Sequence, residues 1–219
     1  PPGAVPDPNP KARTIGVVLY PGYSVFDVFG PLEYINWLSA YHPIKLVTIS
    51  HTLGPTGGHS IADATFETAP PVNIVLVPGS INPWPHKDDT KMIDFIKKAG
   101  GEAENVLVVC TGGWAGLLDG KKTTTNKAQF DKVAAEGSRT EWVRRARWVV
   151  DGHMFTSSGV SAGQDMTHDW IAKTYSPELA RMLANQIERT PHEDASWDPF
   201  ATVWGTDGSE PKPLSEVLA

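Results

Sequence analysis

NVLVVCTGG, residues 105–113, decides how the rest of the chain is read. Val106 to Val109 are apolar without alternation, so the segment fits a strand buried on both faces rather than one with a wet side. The strand runs directly into Cys110, and Thr111-Gly112-Gly113 then allows a sharp turn. Three further runs have the same character: TIGVVLY (14–20), which ends at Pro21-Gly22, IKLVTIS (44–50) and NIVLVPG (73–79). Helical patterns lie between them. One carries Val25, Phe26, Val28, Phe29, Leu32, Ile35, Trp37 and Leu38 behind Ser24 as a possible N-cap, and another spans Asp88–Ala99 with Met92, Ile93, Phe95 and Ile96. Wholly apolar strands alternating with helices predict an α/β doubly wound sandwich around a mostly parallel central sheet. Ligands bind such sheets at the carboxyl ends of the strands. Those ends hold the unusual residues: Pro21-Gly22, Pro78-Gly79-Ser80 and Cys110-Thr111-Gly112-Gly113.

Outside this core, residues 1–13 read as a disordered Pro-rich tail and 14–219 as a single domain with an aromatic C-terminal extension from about 191. His51–Ala69 is too irregular to assign beyond loop with short extended pieces. Glu141–Val143, Arg147–Asp151 and Met154–Ser157 read as short strands, with Asp151-Gly152 as a hairpin turn, and Ser161–Lys173 and Pro177–Arg189 as closing helices. Composition narrows the function. The 219 residues hold 19 Lys+Arg against 25 Asp+Glu, a formal charge of −6 that argues against binding by phosphate neutralisation. No apolar run reaches the roughly 18 residues of a membrane span. A single cysteine forms neither an internal disulfide nor a thiolate-rich metal site. An intracellular, cytoplasmic enzyme or binding protein acting on a small molecule, without nucleic acid or membrane, is the resulting expectation.

Cys110 is the candidate nucleophile. At the end of a strand and the start of the following helix, the helix dipole and free N–H groups favour a thiolate and hold a developing anion. A buried structural cysteine is the plainer alternative. Asp27 is the candidate general acid–base, because a carboxylate among Val25, Phe26, Val28 and Phe29 has its pKa raised by burial. A first-turn aspartate that merely favours the helix N-terminus is the competing reading. The seven histidines show no paired-ligand spacing, and His168-Asp169 reads as a structural contact. No dinucleotide, P-loop or G-x-S-x-G signature is present, and Gly57-Gly58-His59-Ser60 is a weak signal.

With these pieces placed, the chain resembles the DJ-1/PfpI superfamily, and within it the isonitrile hydratase-like branch. The resemblance runs from about Ile15 to about Ala201. It rests on Tyr20-Pro21-Gly22, Phe26-Asp27-Val28-Phe29-Gly30-Pro31-Leu32-Glu33, Val77-Pro78-Gly79, Val109-Cys110-Thr111-Gly112, Thr124-Thr125-Asn126-Lys127, Thr156-Ser157-Ser158-Gly159 and Ser196-Trp197-Asp198-Pro199-Phe200-Ala201. It implies a flavodoxin-like fold with a cysteine nucleophile elbow at Cys110, paired with Asp27. The family's anion site falls on Gly79 and Ser80, with Thr111 beside them; a serine replaces the family's second glycine. Tyr23, Trp84, His86, Trp114 and Gly159 flank the strand ends and are the expected pocket walls. The resemblance further implies a cofactor-free enzyme, a homodimer, and hydration of a small electrophile, in its sharpest form an isonitrile. Glyoxalase-like 2-oxoaldehyde chemistry and a redox-sensing role are the alternatives. Thr111 stands where glyoxalase-like branches often carry a histidine. Only Gly113-Trp114 separates the elbow from Ala115-Gly116-Leu117-Leu118-Asp119-Gly120, so the helix after Cys110 is expected to be short.

Overall fold

A computed structural model describes residues 11–56, 60–114 and 117–219, leaving out the side chain of Trp114. The sheet is built from β1 (Arg13–Val18), β2 (Ile44–Ser50), β3 (Ala64–Thr65), β4 (Ile74–Val77), β5 (Asn105–Val108), β6 (Trp148–Asp151) and β7 (Met154–Ser157). Their order across it is β6-β7-β5-β4-β1-β2-β3. Every pairing is parallel except β6 with β7, the hairpin at one edge. In register, Gly16 of β1 lies beside Val75 of β4, which lies beside Val106 of β5, so the apolar runs form the sheet's centre. The mostly parallel arrangement expected from those runs is the one observed.

Helices α1 (Val25–Leu38), α2 (Thr90–Glu102), α3 (Phe130–Glu136), α4 (Ala162–Thr174), α5 (Pro177–Gln186) and α6 (Pro199–Val203) complete the fold. Helices α1, α4 and α5 contact one another, while α2 packs on β4. Two glycines set how near the layers come. A Cβ at Gly163 of α4 would stand 2.9 Å from Val109, and one at Gly100 of α2 would stand 2.8 Å from Leu117 and 3.6 Å from Val106. Residues 106 and 109 point to opposite faces of an extended chain, so α4 and α2 cover opposite sides of this strand.

Three local expectations change. The first strand is assigned to Val18 rather than Tyr20; the Leu19 N–H still donates to Ile49 O at 2.8 Å, the Tyr20 hydroxyl donates to Pro78 O at 2.9 Å, and the chain then turns at Pro21-Gly22. Helix α3 appears where none was expected; it is only seven residues long and buries Phe130 and Val133. Among the described residues the elbow opens no α-helix: Cys110–Trp114 is a 3-10 segment. The Pro-rich residues 1–10 and the Gly57-Gly58-His59 stretch lie outside the described residues.

Among the described residues, no helix is long and apolar enough to cross a membrane. Nor does any group of three or more His, Cys, Asp and Glu side chains stand ready to hold a metal ion.

Candidate active site

Cys110 leaves its strand with φ +60°, in the left-handed region that side chains other than Asn, Asp and glycine's hydrogen rarely occupy. Strain of this kind persists only where the surroundings fix it. Here the Cys110 N–H donates to Ser158 O at 3.1 Å, and its carbonyl accepts from the Thr125 hydroxyl at 2.7 Å. The next loop presses close on the same residue. A Cβ at Gly79 would meet Thr111 N at 2.5 Å, and one at Gly112 would meet Pro78 O at 2.7 Å. Backbone from two strand ends therefore passes at a distance only glycine permits. Gly79→Ala is expected to cost about 1–3 kcal/mol through overpacking and to displace the elbow. A lowered midpoint in thermal unfolding, with reduced labelling of Cys110 by a thiol reagent, checks it.

The same loop positions Asp27. Tyr23 bridges Ser80, and the Ser24 N–H donates to Gly79 O at 2.8 Å, which ties the start of α1 to the end of β4. Asp27 then turns inward, fully buried, and its Oδ2 accepts the Gly79 N–H at 2.9 Å. Its Oδ1 is buried with no hydrogen bond of ordinary geometry. Burial drives the Asp27 pKa up to about 6, opposed by the Gly79 N–H, the Ser24 hydroxyl and the Cys110 thiol. Cys110 is 6% exposed. Burial and the neighbouring Asp27 charge push its thiol up to about 12, while the Thr111 N–H and hydroxyl and the Asn126 amide pull the other way. Near neutral pH the pair is thus a protonated thiol beside a carboxylate. Burial and the adjacent Asp27 charge thus work against the resting thiolate expected from a helix N-terminus.

The two residues chosen from sequence as nucleophile and base are therefore brought together. Gly79, Ser80 and Thr111, expected to stabilise an anion, lie beside them with most of their donors engaged. Gly79 serves Asp27, and the Ser80 N–H donates to Thr111 Oγ1 at 2.9 Å while that hydroxyl donates to Ser80 O at 3.0 Å. Thr111's own N–H is the member that acts on the thiol. Of the expected walls, Gly159 lines a cavity of about 280 Å³ that borders the elbow through Asn126 and Ser158. Tyr23 is buried and shares a 2.7 Å hydrogen bond with Ser60. His86 packs edge-on against Tyr20 and lines a separate cleft with His51 and Asp89. Trp84 opens a 3-10 turn and does not line the elbow cavity. The Trp114 side chain lies outside the described residues.

Two contributors were missed, Ser24 and Asn126. Asn126 sat in view within Thr124-Thr125-Asn126-Lys127, but nothing local in the sequence marks its amide as a partner of the thiol. A larger groove of about 580 Å³ runs along α2, lined by Lys91, Asp94, Lys98 and Glu102 among others. Neither Cys110 nor Asp27 lines it or the smaller cavity, but only the smaller one adjoins the elbow, through Asn126 and Ser158.

Residues 13–173 match the DJ-1/PfpI family. Isonitrile hydratase of Pseudomonas putida is 30% identical over 188 residues, 82% of this chain and 80% of that enzyme. The HTH-type transcriptional regulator GbdR of Pseudomonas aeruginosa is 27% identical over 229 aligned positions, which cover 98% of this chain but 61% of the regulator. Among solved structures, a ThiJ/PfpI family protein from Pseudomonas syringae superposes with a TM-score of 0.73 at 27% identity, over 87% of this chain and 84% of that one.

Proposed function

The chain belongs to the DJ-1/PfpI family, and on that basis we propose that it is a cofactor-independent hydratase that converts an isonitrile into an N-substituted formamide. The observation that carries this reading is the buried pair itself. One thiol, pushed up to about 12, and one carboxylate, pushed up to about 6, share a site in which no histidine perturbs either group. That is a nucleophile with a single proton carrier.

Attack by Cys110 Sγ on the terminal carbon forms the C–S bond as the thiol proton passes to Asp27. Asp27 returns that proton to the former isonitrile carbon, leaving a thioimidate, R–N=CH–S–Cys110. Water then adds to the thioimidate carbon, with Asp27 taking one of its protons as the nitrogen is protonated. The C–S bond breaks, the sulfur regains a proton, and R–NH–CHO departs. One isonitrile and one water are consumed and the enzyme returns unchanged. The Thr111 N–H and the Asn126 amide lie where negative charge develops on sulfur during the cycle.

The redox-sensing alternative fits the site less well. Sensor thiols are exposed and low in pKa, whereas this one is buried and raised. Turnover of an aryl isonitrile in water enriched in oxygen-18 tests the proposal. Formamide carrying the heavy isotope is the expected product; recovery of unchanged isonitrile, together with conversion of methylglyoxal, would move the assignment to oxoaldehyde chemistry.

A further inference from the structure

The elbow cavity has a wall that the hydration chemistry does not require. Phe26 of α1 and Phe200 and Trp204 of the C-terminal segment line it together with Asn126, Ser158 and Gly159; Cys110 and Asp27 do not line it, and it adjoins the thiol through the Asn126 amide. These aromatic side chains are substantially exposed, Trp204 to 55%. Exposed aromatics gathered around a cavity of about 280 Å³, close to the lower end of small-molecule sites, face a ligand's apolar surface better than water.

Their placement is specified by buried polar groups. Asp198 caps α6, its Oδ1 accepting the Phe200 N–H at 3.1 Å, and Pro199 starts the helix. The other carboxylate oxygen lies 3.3 Å from Lys127 Nζ, with both side chains buried. Lys127 spends its three ammonium hydrogens on Thr124 Oγ1 at 2.8 Å, Thr125 O at 3.0 Å and Ala146 O at 3.0 Å, so Asp198 is held by charge. Thr125 is the residue whose hydroxyl holds the Cys110 carbonyl. A continuous set of contacts therefore runs from the strained nucleophile to the helix that carries Phe200. Uncompensated, a buried lysine and aspartate are costly; here they fix the C-terminal aromatic segment relative to the thiol.

We propose that Phe26, Phe200 and Trp204 form a specificity subsite that receives the aromatic or bulky apolar body of the molecule Cys110 attacks, with Lys127 and Asp198 as the residues that position it. The inference rests on Cys110 as the attacking group but not on isonitrile as the electrophile. It is tested through the chain's single cysteine. Iodoacetamide and its N-phenyl analogue alkylate a thiol by the same displacement: the S–C bond forms, iodide leaves, and the thiol proton goes to base. Their rate ratio on the protein, divided by the ratio on glutathione, isolates recognition of the phenyl group.

Wild type is expected to favour the anilide by about tenfold or more over solution. Trp204→Ala and Phe200→Ala, both at exposed positions, should bring that ratio close to one while changing the iodoacetamide rate less than about twofold. A wild-type ratio equal to that of glutathione, ratios unchanged in both variants, or no labelling of Cys110 by either reagent would overturn the subsite. Selective labelling without formamide production keeps the subsite and removes the isonitrile. Formamide production with unselective labelling does the reverse.

Discussion

Cys110→Ala should abolish isonitrile hydration, with a loss of at least about a thousandfold in kcat and no change in far-ultraviolet circular dichroism. The chemistry has no second nucleophile to fall back on, since the chain contains one cysteine. Alanine keeps the backbone contacts that hold the elbow, the N–H to Ser158 O and the carbonyl to the Thr125 hydroxyl. The fold should therefore survive the exchange. Formamide production by the alanine variant at a tenth of the wild-type rate or more would leave Cys110 a structural residue and make Asp27 a base acting on water alone.

Asp27→Asn should lower kcat by about 10²- to 10⁴-fold, the contribution of one positioned acid–base group, and it should also erase the pH dependence. In the wild type the carboxylate must be ionised to accept the thiol proton, and its pKa is pushed up to about 6. Activity, read as kcat/KM, then rises through pH 6 and stays level to pH 9, because the thiol titrates only near 12. An activity rise centred between pH 8 and 9 would mean that the thiol ionises near its ordinary value and that its thiolate, rather than Asp27, sets the profile.

The same shift bears on stability with a defined sign. The folded-state pKa of Asp27, about 6, lies above the ordinary 3.8, so the folded protein binds this proton more tightly than the unfolded chain does. Its contribution is complete below about pH 4 and is lost as the pH rises through 6. Above that the buried carboxylate costs on the order of 2–3 kcal/mol. Asparagine keeps the oxygen that accepts the Gly79 N–H without the charge. Asp27→Asn is therefore expected to resist urea better than wild type at pH 8 and about equally at pH 4. Lower stability of the variant at pH 8 would contradict the assignment.

How much of this was legible in the sequence depended on whether the signal was local. The strands were, because β1, β4 and β5 sit at the centre of a parallel sheet and carry unbroken apolar runs. The elbow was also, because such a run meets Cys-Thr-Gly-Gly. Helix α1 follows its apolar pattern only in part: Val28, Ile35 and Leu38 are buried, as is Asp27. Val25, Phe26 and Phe29 looked like core, yet each is close to half exposed while Asp27 is buried among them. Apolar periodicity presumes that the helix turns its greasy side to the sheet; here the first turn also delivers a carboxylate to the strand ends and leaves Phe26 beside the cavity. The short segment after Cys110 was seen as a shortened helix, but the 3-10 form of Cys110–Trp114 and the burial that raises the thiol beside Asp27 were not deducible from spacing. Asn126 reaches the thiol through the fold alone, as Lys127 reaches Asp198.

Intact-protein mass spectrometry of the wild type, acid-quenched during turnover of an aryl isonitrile, tests the central claim most directly. Attack by Cys110 with proton return through Asp27 adds the whole substrate and expels nothing. The predicted result is an increase equal to one isonitrile mass, mapped by peptide digestion to Cys110. Formamide accumulating with Cys110 unmodified throughout would contradict covalent catalysis at this residue.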